Sequence, residues 1–473
     1  MINVGSEEIT EGQLYKAIIG LSIPLIMQNF VRIAQQLSNL FWLGRLNEEA
    51  VAAAGLAGPV IGFMITLIVL GPFVGTETLV SQRVGNEDYS GAESALFTGI
   101  VALLLLGAII SLITYFGASS LIGFLSSFQH TPSADNVPSL SVAYLKITAF
   151  GFTFAAISDG LEAGFIGWGD SKSSLYSNIA SVVVDILLAP VFIFGIGPVP
   201  SLGIAGAALS TVAGYLGGLI LALIIMYGGW SEAKLTRTNI EWKIEEYKEL
   251  LEVGLPITGQ AVASQSVSIF LTFLTFTVGG VAGIAAYSVG TRVSSLTLLP
   301  AKGFKQATQS VVGQNLGANQ PKRANKSVIL SGGIIFSVLF VLGLIQWLIP
   351  TSVVDLLVPS LNNESRELAA SFVRILSYSY PAVGVLYIIR AGFDAARKTR
   401  VTFWSSVLEN YGIQLPITGI GLVFGFGVLS IFWAESLSRI IVASAIVLYY
   451  YYHSKNGVMV KSAKHVNVSS SDD

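Results

Sequence analysis

Asp185 stands in the run Val182-Val183-Val184-Asp185-Ile186-Leu187-Leu188, a carboxylate with apolar neighbours on both sides. Asp159 and Glu162 lie three residues apart in another apolar stretch and share a face if that stretch is helical. Ionising an acid in such surroundings is costly, so each is a candidate to bind and release a proton, or to hold a sodium ion together with Asn and Thr oxygens. The plainer alternative is an ion pair with Arg32, which lies two turns before Asn39 and shares its face. Later in the chain, Arg390 and Asp394 are four apart, as are Glu435 and Arg439, a spacing that predicts mutual neutralisation within one helix. Glu409 has no local partner, and Glu77, close to Arg83, is expected to be structural.

Other chemistries are poorly supplied. There is no Cys, which removes disulfides, thiolate metal sites and Cys nucleophiles, and the three His, at 130, 453 and 465, are too scattered for a metal or catalytic cluster. No nucleophile, phosphate loop or ligand set accompanies the acids, so an enzyme is the least expected class. A net charge of −2 offers no basic excess for nucleic acid.

The elements that carry these acids must be membrane helices. Of 473 residues 53% are hydrophobic and only 11% charged, against roughly 25% charged in a soluble domain. Twelve apolar stretches long enough for a bilayer fall at roughly 15–43, 52–80, 92–119, 138–167, 172–196, 203–228, 248–278, 281–311, 326–351, 367–394, 400–425 and 427–453. The 49 Gly suit closely packed helices in lipid. The first residues carry Glu7, Glu8 and Glu11 and show no cleavable signal pattern, and 454–473 is expected to be a disordered cytoplasmic tail. Pro24, Pro190, Pro256, Pro381 and Pro416 predict kinks or early stops.

Basic residues mark one face. Arg83, Lys172, Lys234, Arg237, Lys243, Lys322, Arg323, Arg397, Lys398 and Arg400 fall in one set of connections, with Lys455, Lys461 and Lys464 in the tail; the other set holds Arg45 and Arg366. The positive-inside rule then places both termini in the cytoplasm and the chain in the cell membrane.

The chain also repeats itself. Tyr15-Lys16 with Pro24 recurs as Tyr247-Lys248 with Pro256, and the same offset of about 232 relates Ala53-Ala54 to Ala285-Ala286, Thr76 to Thr308 and Gln82 to Gln314. Lys172 and Pro190 match Lys398 and Pro416 at a slightly shorter offset. The expected fold is an all-α polytopic membrane protein of twelve transmembrane helices, in two six-helix lobes related by a pseudo-twofold axis along the membrane normal. The lobes are expected at 1–229 and 248–453, joined by a cytoplasmic linker at 230–247. Such halves suit a carrier that alternates access; a channel would need a ring of subunits or a selectivity segment.

Several segments resemble the multidrug and toxic compound extrusion (MATE) family over nearly the whole chain. They are Ser22-Ile23-Pro24, Phe41-Trp42-Leu43-Gly44-Arg45-Leu46, Ala52-Ala53-Ala54-Gly55-Leu56, Gly167-Trp168-Gly169-Asp170-Ser171-Lys172, Pro190-Val191-Phe192-Ile193-Phe194-Gly195, Gly203-Ile204-Ala205-Gly206-Ala207-Ala208 and Val312-Gly313-Gln314-Asn315-Leu316-Gly317-Ala318. The resemblance implies a monomeric antiporter that exports amphipathic organic cations, in contact with membrane lipids, in exchange for Na⁺ or H⁺, and no cofactor besides that ion. It also implies first-lobe site residues. Family members carry an Asp near the end of the first helix, an Asn and Asp four apart before the Pro of the fifth, and a Thr on the sixth; here these positions are Asn39, Asp185 with Ala189, and Thr211. Two family carboxylates are lost and one is gained. The carboxylate role is therefore expected to have moved to Asp185 with Glu162 and Asp159, and Asn39, Asp185 and Thr211 are the expected Na⁺ ligands. Tyr144 matches a first-lobe pocket Tyr, and Asp394 an acid of the tenth helix in some branches. The rival expectation is a lipid-linked oligosaccharide flippase of the same superfamily, for which Arg32, Arg292, Arg374, Arg390 and Arg439 would line a basic cleft.

Overall fold

A computed structural model describes residues 6–126, 136–236, 244–358, 363–455 and 457–469. His130, Arg237 and Lys243 lie outside these residues. Everything regular in the described chain is helical.

The first six spans are α1 (Leu14–Leu46), α2 (Glu48–Gly85), α3 (Tyr89–Ser126), α4 (Val137–Trp168), α5 (Ser171–Phe194) and α6 (Ile204–Tyr227). The run Ile244–Thr297 breaks at Gly280, whose φ of +58° is open to glycine; α7 is Ile244–Gly280 and α8 is 281–317, with a second break at Leu298. Then follow α9 (Pro321–Leu348), the broken α10 (Asn363–Ser377 and Tyr380–Ala395), α11 (399–423) and α12 (Leu429–Lys455). Among the described residues nine helices are singly long and apolar enough to span a bilayer, and α10 makes a tenth. The remaining two of the twelve, α8 and α11, fall short because they are interrupted. The second part of α8 carries Lys302, Lys305, Gln306 and Gln309, and α11 contains a π-helical stretch, Leu408–Gln414, ahead of Pro416. A bend of 50° separates the arms of α10 just before Pro381.

The close joints are made by small residues. A methyl group added at Gly214 on α6 would stand 2.7 Å from the Ser181 carbonyl oxygen and 3.0 Å from Asp185 Cβ; one at Gly218 would stand 2.9 Å from Ser181 Cβ. Those glycines let α6 lie against α5 where Asp185 is carried. The turn between α4 and α5 is equally specific: Gly169 caps α4 in the left-handed region (φ +89°), and Asp170 caps α5 by accepting from Ser173 N at 3.1 Å.

The chain divides into two compact units, Ile23–Leu255 and Met1–Ser22 with Pro256–Asp473. These boundaries differ from the expected 229 and 248. They fall beside Pro24 and Pro256, the two prolines related by the repeat. In the first unit, Glu246 of α7 receives Arg83 Nη1 at 2.8 Å and the hydroxyls of Ser94 and Thr98 at 2.8 Å each, which ties the start of α7 to α2 and α3. In the second, Arg323 Nη2 donates to the carbonyls of Ile9 at 3.0 Å and Gly12 at 2.5 Å, so the N-terminal segment is held there. The tail is not without structure as expected: Val458–Ser469 is helical, Met459 and Ala463 are buried, and Ser462 Oγ donates to Ala396 O at 3.3 Å.

Candidate functional site

Two polar clusters lie within the first unit. Both are built on one face of α1, where Gln28, Arg32, Gln35 and Asn39 recur at spacings of four, three and four.

At the Gln35–Asn39 end of this stripe, Asp185 is fully buried on α5. Its Oδ2 accepts from Gln35 Nε2 at 2.7 Å and Asn39 Nδ2 at 3.3 Å, and its Oδ1 accepts from Ser210 Oγ of α6 at 2.7 Å. Asn39 Nδ2 also reaches Thr211 Oγ1 at 3.5 Å. Asn39, Asp185 and Thr211 are thus brought together. No cationic side chain pairs with Asp185 among the described residues, and Asn39 Oδ1 is a buried acceptor with no hydrogen-bond partner.

About two turns along α5, roughly 10 Å, Asn178 belongs to a second cluster. Glu162, 3% exposed, accepts from Gln28 Nε2 at 2.7 Å, from Asn178 Nδ2, and from Arg32 Nη2 at 3.4 Å. Arg32 Nε donates to Asn178 Oδ1 at 3.0 Å, and Arg32 Nη2 lies 3.6 Å from Asp159 Oδ1. Ser174 Oγ donates to Gln28 Oε1 at 3.2 Å. Glu162 and Asp159 therefore share one arginine, and neither hydrogen-bonds the Asp185 cluster. Two carboxylates face a single guanidinium, and Asp185 stands apart from it.

Tyr144 is partly buried and packs against the apolar cluster that includes Leu43, Ala53 and Ala189. Tyr215 on α6, singled out by no motif, lies within electrostatic reach of Asp159, Asp185, Tyr144 and Arg32. Gln28, Gln35, Asn178 and Ser210 were likewise not expected. The heptad-like polar stripe on α1 was the signal that could have found the first two.

The second unit sorts its charges differently from the expected i,i+4 pattern. Arg390 does not pair with Asp394: its Nη2 lies 2.7 Å from Glu409 Oε2, and its Nε donates to Ser405 Oγ at 3.0 Å. Glu409 thus has the partner that spacing could not show. Asp394, fully buried, accepts from Thr402 Oγ1 at 2.7 Å and has Lys305 Nζ at 3.9 Å. Arg439 and Glu435 do pair within α12, at 2.7 Å.

Twelve spans with a buried acid that no cation pairs among the described residues fit a membrane transporter. The MatE family model matches residues 24–191 and 256–420, one stretch in each half. The chain belongs to the multidrug and toxic compound extrusion family, which is a family of transporters and not of enzymes. It is similar to the probable multidrug resistance protein YpnP of Bacillus subtilis, 25% identical over 446 residues that cover 89% of this chain and 94% of that protein. It is also similar to an FAD transporter of Shewanella oneidensis, 22% identical over 86% of this chain and 88% of the relative. The fold matches the crystal structure of a MATE protein in complex with MaL6 at a TM-score of 0.87, 20% identity, 96% of this chain and 99% of that one. It matches equally, at 0.87 and 21% identity over 97% and 99%, a MOP superfamily transporter from Pyrococcus furiosus.

Proposed function

We propose that the protein is a secondary active antiporter that exports amphipathic organic cations in exchange for Na⁺ or H⁺, with Asp185 as the group that takes the coupling ion. The observation that carries this reading is the setting of Asp185: a fully buried carboxylate held by the neutral donors Gln35, Asn39 and Ser210. A buried acid without a cationic partner needs one, and an incoming proton or sodium ion supplies it. Asn39 Oδ1, buried and unpartnered, offers a second oxygen to a cation, and Thr211 Oγ1 lies beside it.

Coupling follows from charge. One positive charge moving inward through 100 mV releases about 2.3 kcal/mol. Filling Asp185 neutralises it, which removes the attraction for a cationic substrate. Emptying it restores that attraction, so ion and substrate exclude one another at the same electrostatic site. Glu162 and Asp159, sharing one arginine, add negative potential to the same unit. The names of the relatives YpnP and of NorM from Thermotoga maritima, both described as probable multidrug resistance proteins, support export of drug-like compounds.

The flippase reading is weaker because the deep bases are occupied. Arg390 is taken by Glu409 and Arg439 by Glu435, which leaves little for a pyrophosphate cargo. We place the protein in the cell membrane with both termini cytoplasmic on the distribution of Lys and Arg, and propose a monomer on the likeness to the family. Proteoliposomes loaded with a fluorescent organic cation test the function: efflux should follow an imposed sodium gradient or an imposed pH gradient. Efflux that responds to neither contradicts antiport.

A further inference from the structure

A groove runs along the second unit where α9, α10 and α12 meet. Its apolar part has a volume of about 610 Å³ and is lined by Phe336, Pro381, Val385, Ala443 and Val447, among others. A second apolar hollow of about 330 Å³ continues it, sharing Phe340, Tyr378 and Pro381 with the first. They flank the 50° bend of α10 ahead of Pro381. The walls are exposed: Phe340 is 52% exposed and Leu448 70%.

Aromatic side chains set the depth. Trp347 Nε1 donates to Tyr378 Oη at 2.8 Å, and Trp433 stacks on Tyr378 with centroids 5.9 Å apart. Trp and Tyr grouped in this way gather at the level where hydrocarbon gives way to headgroups. One turn beyond Tyr378 on α10, Arg374 enters a polar recess of about 370 Å³ with Thr351, Asn363, Ser371, Arg366 and the carboxylate of Glu367. Arg366 is engaged by Asp355, its Nε donating to Oδ1 at 2.5 Å. Arg374 is exposed, and among the described residues no carboxylate pairs with it.

We propose that this groove is a binding site for an anionic phospholipid, with one acyl chain between α9, α10 and α12 and the phosphate on Arg374. Three features coincide along α10: an apolar groove, a cluster of Trp347, Tyr378 and Trp433, and one turn beyond it a guanidinium with no paired carboxylate among the described residues. Guanidinium binds phosphate by parallel N–H bonds, and an anionic headgroup adds the net charge that a zwitterionic one lacks. Coulombic preference at this semi-exposed site is worth a few-fold in affinity rather than orders of magnitude.

The test uses the full chain in nanodiscs and reads quenching of Trp347 by lipids brominated on their acyl chains, with Trp347→Phe as the blank. Brominated phosphatidylglycerol should half-quench at a several-fold lower mole fraction than brominated phosphatidylcholine. Arg374→Gln should abolish that difference while leaving the melting temperature and transport unchanged. Ser444→Phe, which fills the groove from an exposed position on α12, should weaken quenching by both lipids. Equal half-points for the two lipids in the native chain would overturn the proposal, as would a preference that persists in Arg374→Gln. Displacement of the lipid by free glycerol phosphate would also overturn it, since the chain would then contribute nothing.

Discussion

Gln35 donates to Asp185 across α1 and α5 at 2.7 Å, and this bond ties the helix that carries the polar stripe to the helix that carries the most deeply buried acid of the first unit. Removing the donor by Gln35→Leu leaves a buried carboxylate oxygen with only the longer Asn39 bond. The expected cost is about 1 to 2 kcal/mol of stability. Ion-driven transport should fall several-fold with normal expression, and thermal melting in detergent together with proteoliposome efflux would measure both. No change in either would remove Gln35 from the site.

Gly214 holds α6 against α5 at the level of Asp185. Because a methyl group there meets the Ser181 carbonyl at 2.7 Å, Gly214→Ala should push the helices apart and cost about 1 to 3 kcal/mol. Gly419, with nothing within 4 Å, is the control: Gly419→Ala should leave the melting temperature close to the native value.

Arg390 and Glu409 form a buried charge pair of the second unit, with side chains 6% and 14% exposed. Truncating either alone leaves a buried charge and should destabilise by about 3 to 5 kcal/mol. Their double-mutant cycle should give a coupling above about 1 kcal/mol, whereas a cycle between Arg390 and Asp394 should give less than about 0.5. The reverse ranking would restore the pairing that sequence spacing suggests.

Arg32 serves two acids, and its loss leaves Glu162, 3% exposed, without its cation, which should destabilise by about 3 to 5 kcal/mol. Its effect should also appear in transport. Arg32→Gln strips the positive charge from Glu162 and Asp159 and should shift the pH dependence of efflux, and adding Glu162→Gln should return the profile toward the native one. A profile that does not move in either variant would confine this cluster to a structural role.

The spans were legible because lipid demands about twenty apolar residues each, and Asp185 stood out because an acid among valines and leucines has no neutral explanation. Its partners were not legible. Gln35 and Ser210 are neutral, cost little in a packed helix and carry no signal beyond spacing. The Arg390–Asp394 pair was misread for a different reason: Arg390 reaches Glu409 on α11, and spacing within α10 cannot show a partner carried by another helix.

The most direct measurement is gradient-driven efflux of a fluorescent organic cation by Asp185→Asn in proteoliposomes. Asn keeps the shape and most hydrogen bonds of Asp185 but cannot be filled by a proton or balance a sodium ion. The account predicts that efflux no longer responds to either gradient while the protein still folds, as judged by its melting temperature. Full ion-driven efflux in that variant would contradict it.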